Sequence, residues 1–468
     1  MLSAYYSKGA DSKELFSRFK IAKEPDFEKH LNKFNVIKLD INSEFRNTRQ
    51  PEELINEITD KILAEMAAEF PGAGIKANMP LADGILAIYK QTGEKFVIIM
   101  DEYYVLIREE ISPALFTKYL NFLNGLFKSD TVRPAIHLAY LTGILPIVRD
   151  RVQSKLNNFR EFTILDGGPL AEFIGFTENE VKELCAKYGV SFAECKRWYD
   201  GYKQRGFEIY NPESVVRSLE DGIFDNYWSK TSTYAVISDR IKENFAGTKD
   251  DVIKMLAGEN VPTDPGMFMN TMTDFHSKDD AFTYLIHVGY LAYNREDSTC
   301  RIPNKEVQTE WKRAVSILPD YEVTTRIIKA SEELLKKTIA GNAEAVAQAL
   351  DESHIHVTSN RSYNNEDALQ SAIYLSYIYA LNKYTIIKEM TTGKGFADVV
   401  FIPFVPNIPA MIIELKRNSS AETALTQIKE KKYFASLANY RGKLLFIGVN
   451  YDEKSKKHGC GIEAFNIA

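Results

Sequence analysis

Three side chains in the C-terminal part of the chain have types and spacing suited to phosphodiester hydrolysis. Asp398 lies on a predicted strand, and Glu414 and Lys416 lie on the next one. Because residues i and i+2 of a strand point to the same face, Glu414 and Lys416 are predicted to face one site. Two carboxylates supply the oxygen ligands that Mg²⁺ prefers, and a lysine can orient water or neutralise developing charge. The pattern predicts a site for Mg²⁺ (or Mn²⁺) held by Asp398 and Glu414.

The following predicted helix adds polar side chains to this group. Gln427 and Lys431 are spaced i, i+4 and can share one helix face. A strand that ends in Glu-x-Lys is common and is often only a solvated edge. Glu414, however, follows four apolar residues, and a charged group at the end of a buried strand needs a partner or a metal.

The predicted elements that position these residues form an α/β chain in three parts. Strands separated by helices in the first part predict a parallel sheet covered on both faces. The middle part is mostly helical and rich in aromatic residues, and the last part alternates strands with two helices. The predicted domains are 1–166, 167–345 and 346–468. The predicted strands are 35–40, 96–100, 136–141, 384–390, 396–402, 410–416 and 444–449, and the main predicted helices are 51–70, 321–338, 366–381 and 421–437.

Composition excludes several classes of protein. The 468 residues are 45% hydrophobic and 26% charged, and no apolar run approaches the roughly 18 residues needed to span a bilayer. No signal peptide is visible, and four scattered cysteines without a CxxC pair favour a reducing cytoplasm over a disulfide or zinc framework. The formal net charge of −6 argues against indiscriminate coating of nucleic acid. Residues 384–468 nevertheless carry more Lys and Arg than Asp and Glu, which is compatible with a phosphate-binding face or with ordinary surface charge.

A second acidic motif follows the apolar strand 96–100. Asp101 and Glu102 give this segment the form of a Walker B strand, in which the aspartate holds Mg²⁺ and the glutamate activates water. Thr142 closes the next predicted strand, where such enzymes place a polar sensor. Many α/β folds end strands with acids, so the motif indicates a nucleotide site only together with its neighbours.

Several further motifs follow in order along the chain. They are Asn157-Asn158-Phe159, Gly175 to Val181, Trp198-Tyr199-Asp200-Gly201-Tyr202 and Ile302 to Val307. Together with the acidic motif they resemble the bacterial AAA-ATPase-like family, whose members carry a PD-(D/E)XK nuclease domain at the C-terminus. The resemblance runs essentially end to end. For the Trp-Tyr-Asp-Gly-Tyr stretch alone, a packed aromatic turn is favoured over a ligand-binding role.

The C-terminal hundred residues carry the nuclease resemblance. Asp398, fifteen intervening residues and then Glu-Leu-Lys match the PD-(D/E)XK pattern without its proline, and Gln427 with Lys431, Lys432 and Tyr433 resembles the QxxxKxY element of many such nucleases. The resemblance implies that Asp398, Glu414 and Lys416 are catalytic. It also implies that Gln427 supports them and that Glu366, on the preceding predicted helix, completes the metal site.

The sequence departs from the family in its phosphate-binding loop. No GxxxxGK(S/T) segment occurs, whereas family members have that loop and its strand just before the helix that here begins at Met1. The first domain is therefore expected to be a P-loop-like parallel sheet lacking its first strand, and this loss would leave two ladders of backbone groups unpaired, one of them on strand 136–141. Asp101, Glu102 and Thr142 would then form a vestigial nucleotide site, and ATP hydrolysis is not expected.

The leading hypothesis is a Mg²⁺-dependent nuclease that acts on DNA and is fused to a truncated or decayed ATPase module. The alternative is a non-catalytic nucleic-acid-binding or regulatory protein in which both sites are degenerate. A nucleotide switch that borrows a phosphate loop from a partner chain ranks last, because no residue supports it. Strandedness, the choice between DNA and RNA, the pathway and the oligomeric state stay open, although P-loop relatives often form homo-oligomers.

Overall fold

The computed structural model of the chain describes most of its length. The described residues are 1–48, 50–108, 111–145, 158–228, 234–256, 258–268, 275–357, 369, 373–374, 376–392, 395–405, 407–431, 433 and 442–466. Three sequence predictions fall outside them: Glu366, Asn157 and Lys432.

The chain divides into two compact units. The N-terminal unit comprises Met1–Leu170 and Pro265–Gly289, and the C-terminal unit comprises Ala171–Asp264 and Tyr290–Ala468. Most of the predicted middle region therefore lies in the same unit as the nuclease-like segment. The division into three domains stays a prediction.

The described strands form four sheets. The orders are β1-β2-β3, β4-β6-β5, β7-β9-β8 and β10-β11-β12-β13-β14. The strands are β1 (Asn35–Asp40), β2 (Phe96–Asp101), β3 (Ile136–Leu141), β4 (Phe176–Thr177), β5 (Tyr202–Gln204), β6 (Phe207–Tyr210), β7 (Val261–Pro262), β8 (Ala292–Asn294), β9 (Thr299–Arg301), β10 (Tyr384–Thr392), β11 (Gly395–Pro403), β12 (Ala410–Arg417), β13 (Lys443–Asp452) and β14 (Lys457–Asn466).

Among the described helices, none is both long enough and apolar enough to cross a membrane. The α-helices are α1 (Leu2–Tyr6), α2 (Lys13–Phe16), α3 (Phe27–His30), α4 (Ile41–Asn47), α5 (Leu54–Glu69), α6 (Leu81–Thr92), α7 (Val105–Arg108), α8 (Pro113–Phe127), α9 (Glu178–Tyr188), α10 (Phe192–Tyr199), α11 (Pro212–Asp221), α12 (Ala235–Ile241), α13 (Thr248–Leu256), α14 (Lys278–His287), α15 (Lys305–Ser316), α16 (Glu322–Ile339), α17 (Ala343–Val357) and α18 (Ala421–Glu430).

The N-terminal sheet is parallel, with β2 in the middle. The apolar residues of β2 are buried, as its continuous apolar run predicts. Strand β3 differs from the expectation of burial on both faces, because His137 and Tyr140 are exposed and its other residues are only partly buried. The physical reason is position: β3 pairs with β2 along one side, and no described strand pairs with its other side.

The five-stranded sheet of the C-terminal unit is mixed: β12 and β13 run parallel, and the other neighbours run antiparallel. Apolar residues from both of its faces are buried in separate clusters. Met411, Ile413 and Leu415 of β12 pack on the side of α16 and α17, whereas Ala410 and Ile412 pack on the side of α18. This burial on both faces explains why β12 is a continuous apolar run rather than an alternating one. The side of α18 also holds the predicted catalytic residues.

The helical part of the C-terminal unit is organised around a buried carboxylate. Glu306 accepts hydrogen bonds from the Ser214 hydroxyl and from the backbone N–H groups of Tyr227 (2.8 Å) and Trp228 (2.9 Å). Burial raises the pKa of Glu306 to about 7, although these donors oppose the shift. The carboxylate thus ties α15 to α11 and to the segment after it.

The Trp-Tyr-Asp-Gly-Tyr stretch forms a packed turn in the same region. Tyr199 and Tyr202 are buried, and the backbone of Gly201 adopts φ 113° against Pro303. A side chain at Gly201 would collide with the Pro303 carbonyl, so the motif has a structural basis that requires no ligand.

Candidate active site

Strands β11 and β12 bring the two predicted metal ligands together. The antiparallel register pairs Val399 with Ile413, and the next residues along the two strands are Asp398 and Glu414. The carboxylate of Asp398 then reaches β12, where its Oδ2 accepts a hydrogen bond from the backbone N–H of Leu415 at 2.7 Å. This bond holds Asp398 beside Glu414.

Glu414 is the buried centre of the site, with 1% of its surface exposed. Its Oε1 accepts hydrogen bonds from Lys416 Nζ (3.1 Å) and from the side-chain amide of Gln427. Its Oε2 is also buried and has no hydrogen-bond partner among the described residues. A buried carboxylate oxygen without a donor is unfavourable in the protein alone and is suited to a cation.

The electrostatics of the site agree with this geometry. Burial, and then the negative charge of Asp398, raises the pKa of Glu414 to about 7, while Lys416 and Lys431 act in the opposite direction. Two carboxylates placed together in a poorly hydrated site resist simultaneous ionisation. A divalent cation would remove this repulsion and would favour the charged form of both groups.

Helix α18 carries the supporting side chain. The helix begins at a Ser420 cap, whose hydroxyl accepts a hydrogen bond from Thr423 N–H at 3.1 Å. Gln427 lies on the face directed at the sheet, and its amide nitrogen contacts both Glu414 and the hydroxyl of buried Tyr433 (3.0 Å). The amide therefore links Glu414 to the helical side of the site.

The structure thus brings together Asp398, Glu414, Lys416 and Gln427, while Glu366 lies outside the described residues. Within the described part of the chain, no group of three or more His, Cys, Asp or Glu side chains is arranged to hold a metal ion. Among the described residues, the side chains that could supply oxygen ligands to a cation are the pair Asp398 and Glu414. Its hard oxygens and the unpartnered Glu414 Oε2 fit Mg²⁺ or Mn²⁺, which retain water ligands in such sites.

The predicted nucleotide-site residues also lie close together, in the N-terminal unit. Asp101 ends β2, and Thr142 follows β3. The Thr142 hydroxyl donates a hydrogen bond to Asp101 Oδ1, and its backbone N–H donates to the Met100 carbonyl at 2.9 Å. Glu102 has a left-handed backbone (φ 51°), and its N–H donates to Asp101 Oδ1 at 3.1 Å. The strand ends therefore form one polar cluster, as parallel strands place their carboxyl ends at one edge.

One contributor to the site was missed by sequence reasoning. Gly448 of β13 lies beside Glu414 in the parallel register and directly under α18. The available signal was a single glycine inside an apolar strand, which often marks a close approach of another backbone.

Comparisons with known proteins agree with this organisation. Residues 1–153 match the AAA-ATPase-like family model, described as a predicted AAA-ATPase, and residues 364–459 match the PD-(D/E)XK nuclease superfamily. The chain therefore carries an AAA-ATPase-like domain at the N-terminus and a PD-(D/E)XK nuclease superfamily domain at the C-terminus. A protein of Azotobacter chroococcum mcd 1, described as an uncharacterized protein in the vnfD 5' region, is 24% identical over 387 residues, which cover 78% of this chain and 70% of that protein.

Proposed function

We propose that the chain is a Mg²⁺-dependent nuclease that hydrolyses phosphodiester bonds of DNA. The observation that carries the proposal is the buried Glu414 carboxylate, which faces Asp398 and Lys416 and has one oxygen without a donor among the described residues. The membership of residues 364–459 in a nuclease superfamily supports a nucleic-acid substrate.

Each side chain has a distinct task in this reaction. Asp398 and Glu414 would hold the cation, which would supply Lewis-acid chemistry at the phosphodiester and make water more acidic. Lys416, 22% exposed at its side chain, can turn from Glu414 to a phosphate oxygen and neutralise the charge that develops there. Gln427 fixes the carboxylate of Glu414 through its amide, so that the ligand is oriented before substrate binds.

The test is cleavage of plasmid and single-stranded DNA in the presence of Mg²⁺. Wild-type protein is compared with Asp398→Ala and Lys416→Ala, and with Lys429→Ala as the matched control. Lys429 is an exposed lysine of α18 that pairs with Glu463 at 2.6 Å, outside the site. Activity in the wild type and the control, with loss in both site variants, is expected.

Equal cleavage by all four proteins would refute the assignment. DNA binding that is sensitive to salt but needs no metal, without cleavage, would instead favour the non-catalytic alternative. The network of Lys416, Gln427 and Glu414 is the feature on which that alternative would rest, since it satisfies one carboxylate oxygen without any metal.

A further inference from the structure

Helix α18 packs directly onto the backbone of β13 at Gly448. A Cβ atom at this position would lie closer than 3.0 Å to the carbonyl oxygen of Ala421 and 3.0 Å from the Cβ of Ala424. Gly448 is not among the glycines with positive φ. The position therefore requires glycine for lack of space and not for its backbone conformation. An alanine could adopt this conformation, but its methyl group would collide with the helix.

The neighbouring strand repeats the feature. Gly461 of β14 pairs with Gly448, and a Cβ there would lie 2.8 Å from Leu425 Cδ1. The two glycines form a flat seat under the first turns of α18; we call it the glycine seat. The contact at Gly461 is with the end of a flexible side chain, whereas that at Gly448 is with the helix backbone. Only the second is difficult to relieve without moving the helix.

The glycine seat lies level with the proposed active site. Gly448 is paired with Glu414 in the parallel register of β12 and β13, and the same helix carries Gln427 to the Glu414 carboxylate. A methyl group at Gly448 would push α18 outward by roughly 1 Å, a displacement that can cost about 100-fold in a reaction that depends on positioning.

We propose that Gly448 is a positioning residue: it sets the distance of α18 from the sheet and so holds Gln427 in contact with Glu414. The proposal rests on the proposed nuclease function for its consequence in metal binding, but the position of the helix can be measured separately. Gly448 acts through Gln427 and touches neither metal nor substrate.

Three alanine variants of the full chain compare how strongly a methyl group at different glycines lowers the affinity for Mn²⁺. Gly459→Ala is the control, since a Cβ at this β14 residue meets nothing within 4 Å. Mn²⁺ affinity, measured by calorimetry without nucleic acid, should be unchanged in Gly459→Ala and should fall by about 10- to 100-fold in Gly448→Ala, as for loss of a residue that orients a metal ligand. Gly461→Ala should show a smaller decrease. If Gly448→Ala does not fold, Gly461→Ala compared with Gly459→Ala keeps the proposal testable.

A double-mutant cycle separates positioning from a general loss of stability. Gln427→Ala and Gly448→Ala should each lower Mn²⁺ affinity, and the double variant should be no weaker than the poorer single variant, because both remove the same contact. Fully additive losses, or wild-type affinity in Gly448→Ala, would overturn the proposal.

The side-chain amide signal of Gln427, followed by NMR in ¹⁵N-glutamine-labelled protein, tests the positioning role of Gly448 separately from the proposed nuclease function. It should shift in Gly448→Ala and not in Gly459→Ala. If wild-type protein neither binds Mn²⁺ nor cleaves DNA, the nuclease proposal fails, and a shifted signal still supports the glycine seat. An unshifted signal refutes the positioning role whatever the activity.

Discussion

The carboxylate of Asp398 accepts a hydrogen bond from the backbone N–H of Leu415 at 2.7 Å. Leu415 lies between Glu414 and Lys416, so this bond fastens an acid of β11 to the strand that carries the other two predicted catalytic residues. Burial, and then the negative charge of Asp398, raises the pKa of Glu414 to about 7, so the proximity of the two acids has an electrostatic cost. An arrangement that keeps two acids together against their repulsion is typical of a cation site.

Asp398→Asn should separate the charge of this residue from its structural bond. The amide oxygen can still accept from Leu415 N–H, so the unfolding midpoint should change little. DNA cleavage should fall by about 100-fold or more, because a bound cation supplies several kcal/mol of charge stabilisation. Single-turnover cleavage with saturating Mg²⁺ checks this, and cleavage at the wild-type rate would contradict a ligand role for Asp398.

The metal-free protein should lose stability as the pH rises through neutrality. The pKa of Glu414 is about 7 when folded, against a reference value of 4.5. The contribution of Glu414 to the free energy of unfolding is therefore fully present below about pH 4.5. It disappears as the pH rises through 7, and the free energy of unfolding then falls by roughly 3 kcal/mol at most. Glu414→Gln cannot ionise and should lack this component. Urea unfolding in EDTA at pH 5.5 and 8 measures it, and identical pH dependence in both proteins would exclude Glu414 as the source.

Divalent cations should stabilise the wild-type protein and reverse its loss of stability at pH values above neutrality. A ligand at 100 times its Kd stabilises a folded protein by about 2.7 kcal/mol. Because the cation competes with a proton at Glu414, Mn²⁺ affinity should increase up to about pH 7 and then level off. Thermal unfolding with and without Mn²⁺ reports the effect. A similar stabilisation of Glu414→Gln would place the cation elsewhere.

Glu306→Ala should destabilise the C-terminal unit. The substitution leaves the Ser214 hydroxyl and the N–H groups of Tyr227 and Trp228 without their acceptor. Unsatisfied buried donors cost about 1–3 kcal/mol each before relaxation, so a loss of about 2–4 kcal/mol is expected. Glu213→Ala, which removes an exposed carboxylate paired with Arg217, is the control. Equal unfolding midpoints in urea for the two variants would show that Glu306 is not an anchor.

The purified 468-residue polypeptide should not hydrolyse ATP. It contains no GxxxxGK(S/T) segment to bind the phosphates. In addition, the Asp101 carboxylate accepts a hydrogen bond from the Thr142 hydroxyl. Phosphate release by wild-type protein should equal that by Asp101→Asn. Turnover that is present in the wild type and lost in Asp101→Asn would show a working nucleotide site.

The sequence predicted the individual elements well where a pattern had one physical meaning. Strands β1, β2 and β3 and helix α5 occur where periodicity placed them, and β12 follows its apolar run. Strand β14 was missed, because Lys457–Asn466 has no regular alternation and depends on pairing with β13. The predicted helix 366–381 is described only in part, and its described end is a 3₁₀ helix, Ile378–Asn382.

The amino-acid sequence by itself determined the chemistry of the candidate site: two acids and a lysine on strands, with a glutamine on the next helix. Residue types and local spacing are enough for this, because strand and helix periodicity fixes which side chains share a face. Only the tertiary structure decided that Asp398 accepts a hydrogen bond from Leu415 and that Glu414 is buried with a raised pKa. It also decided that α18 packs closely against β13 at Gly448, where there is no side chain. Burial, charge coupling and close packing arise between segments distant along the chain, and no local pattern encodes those distances.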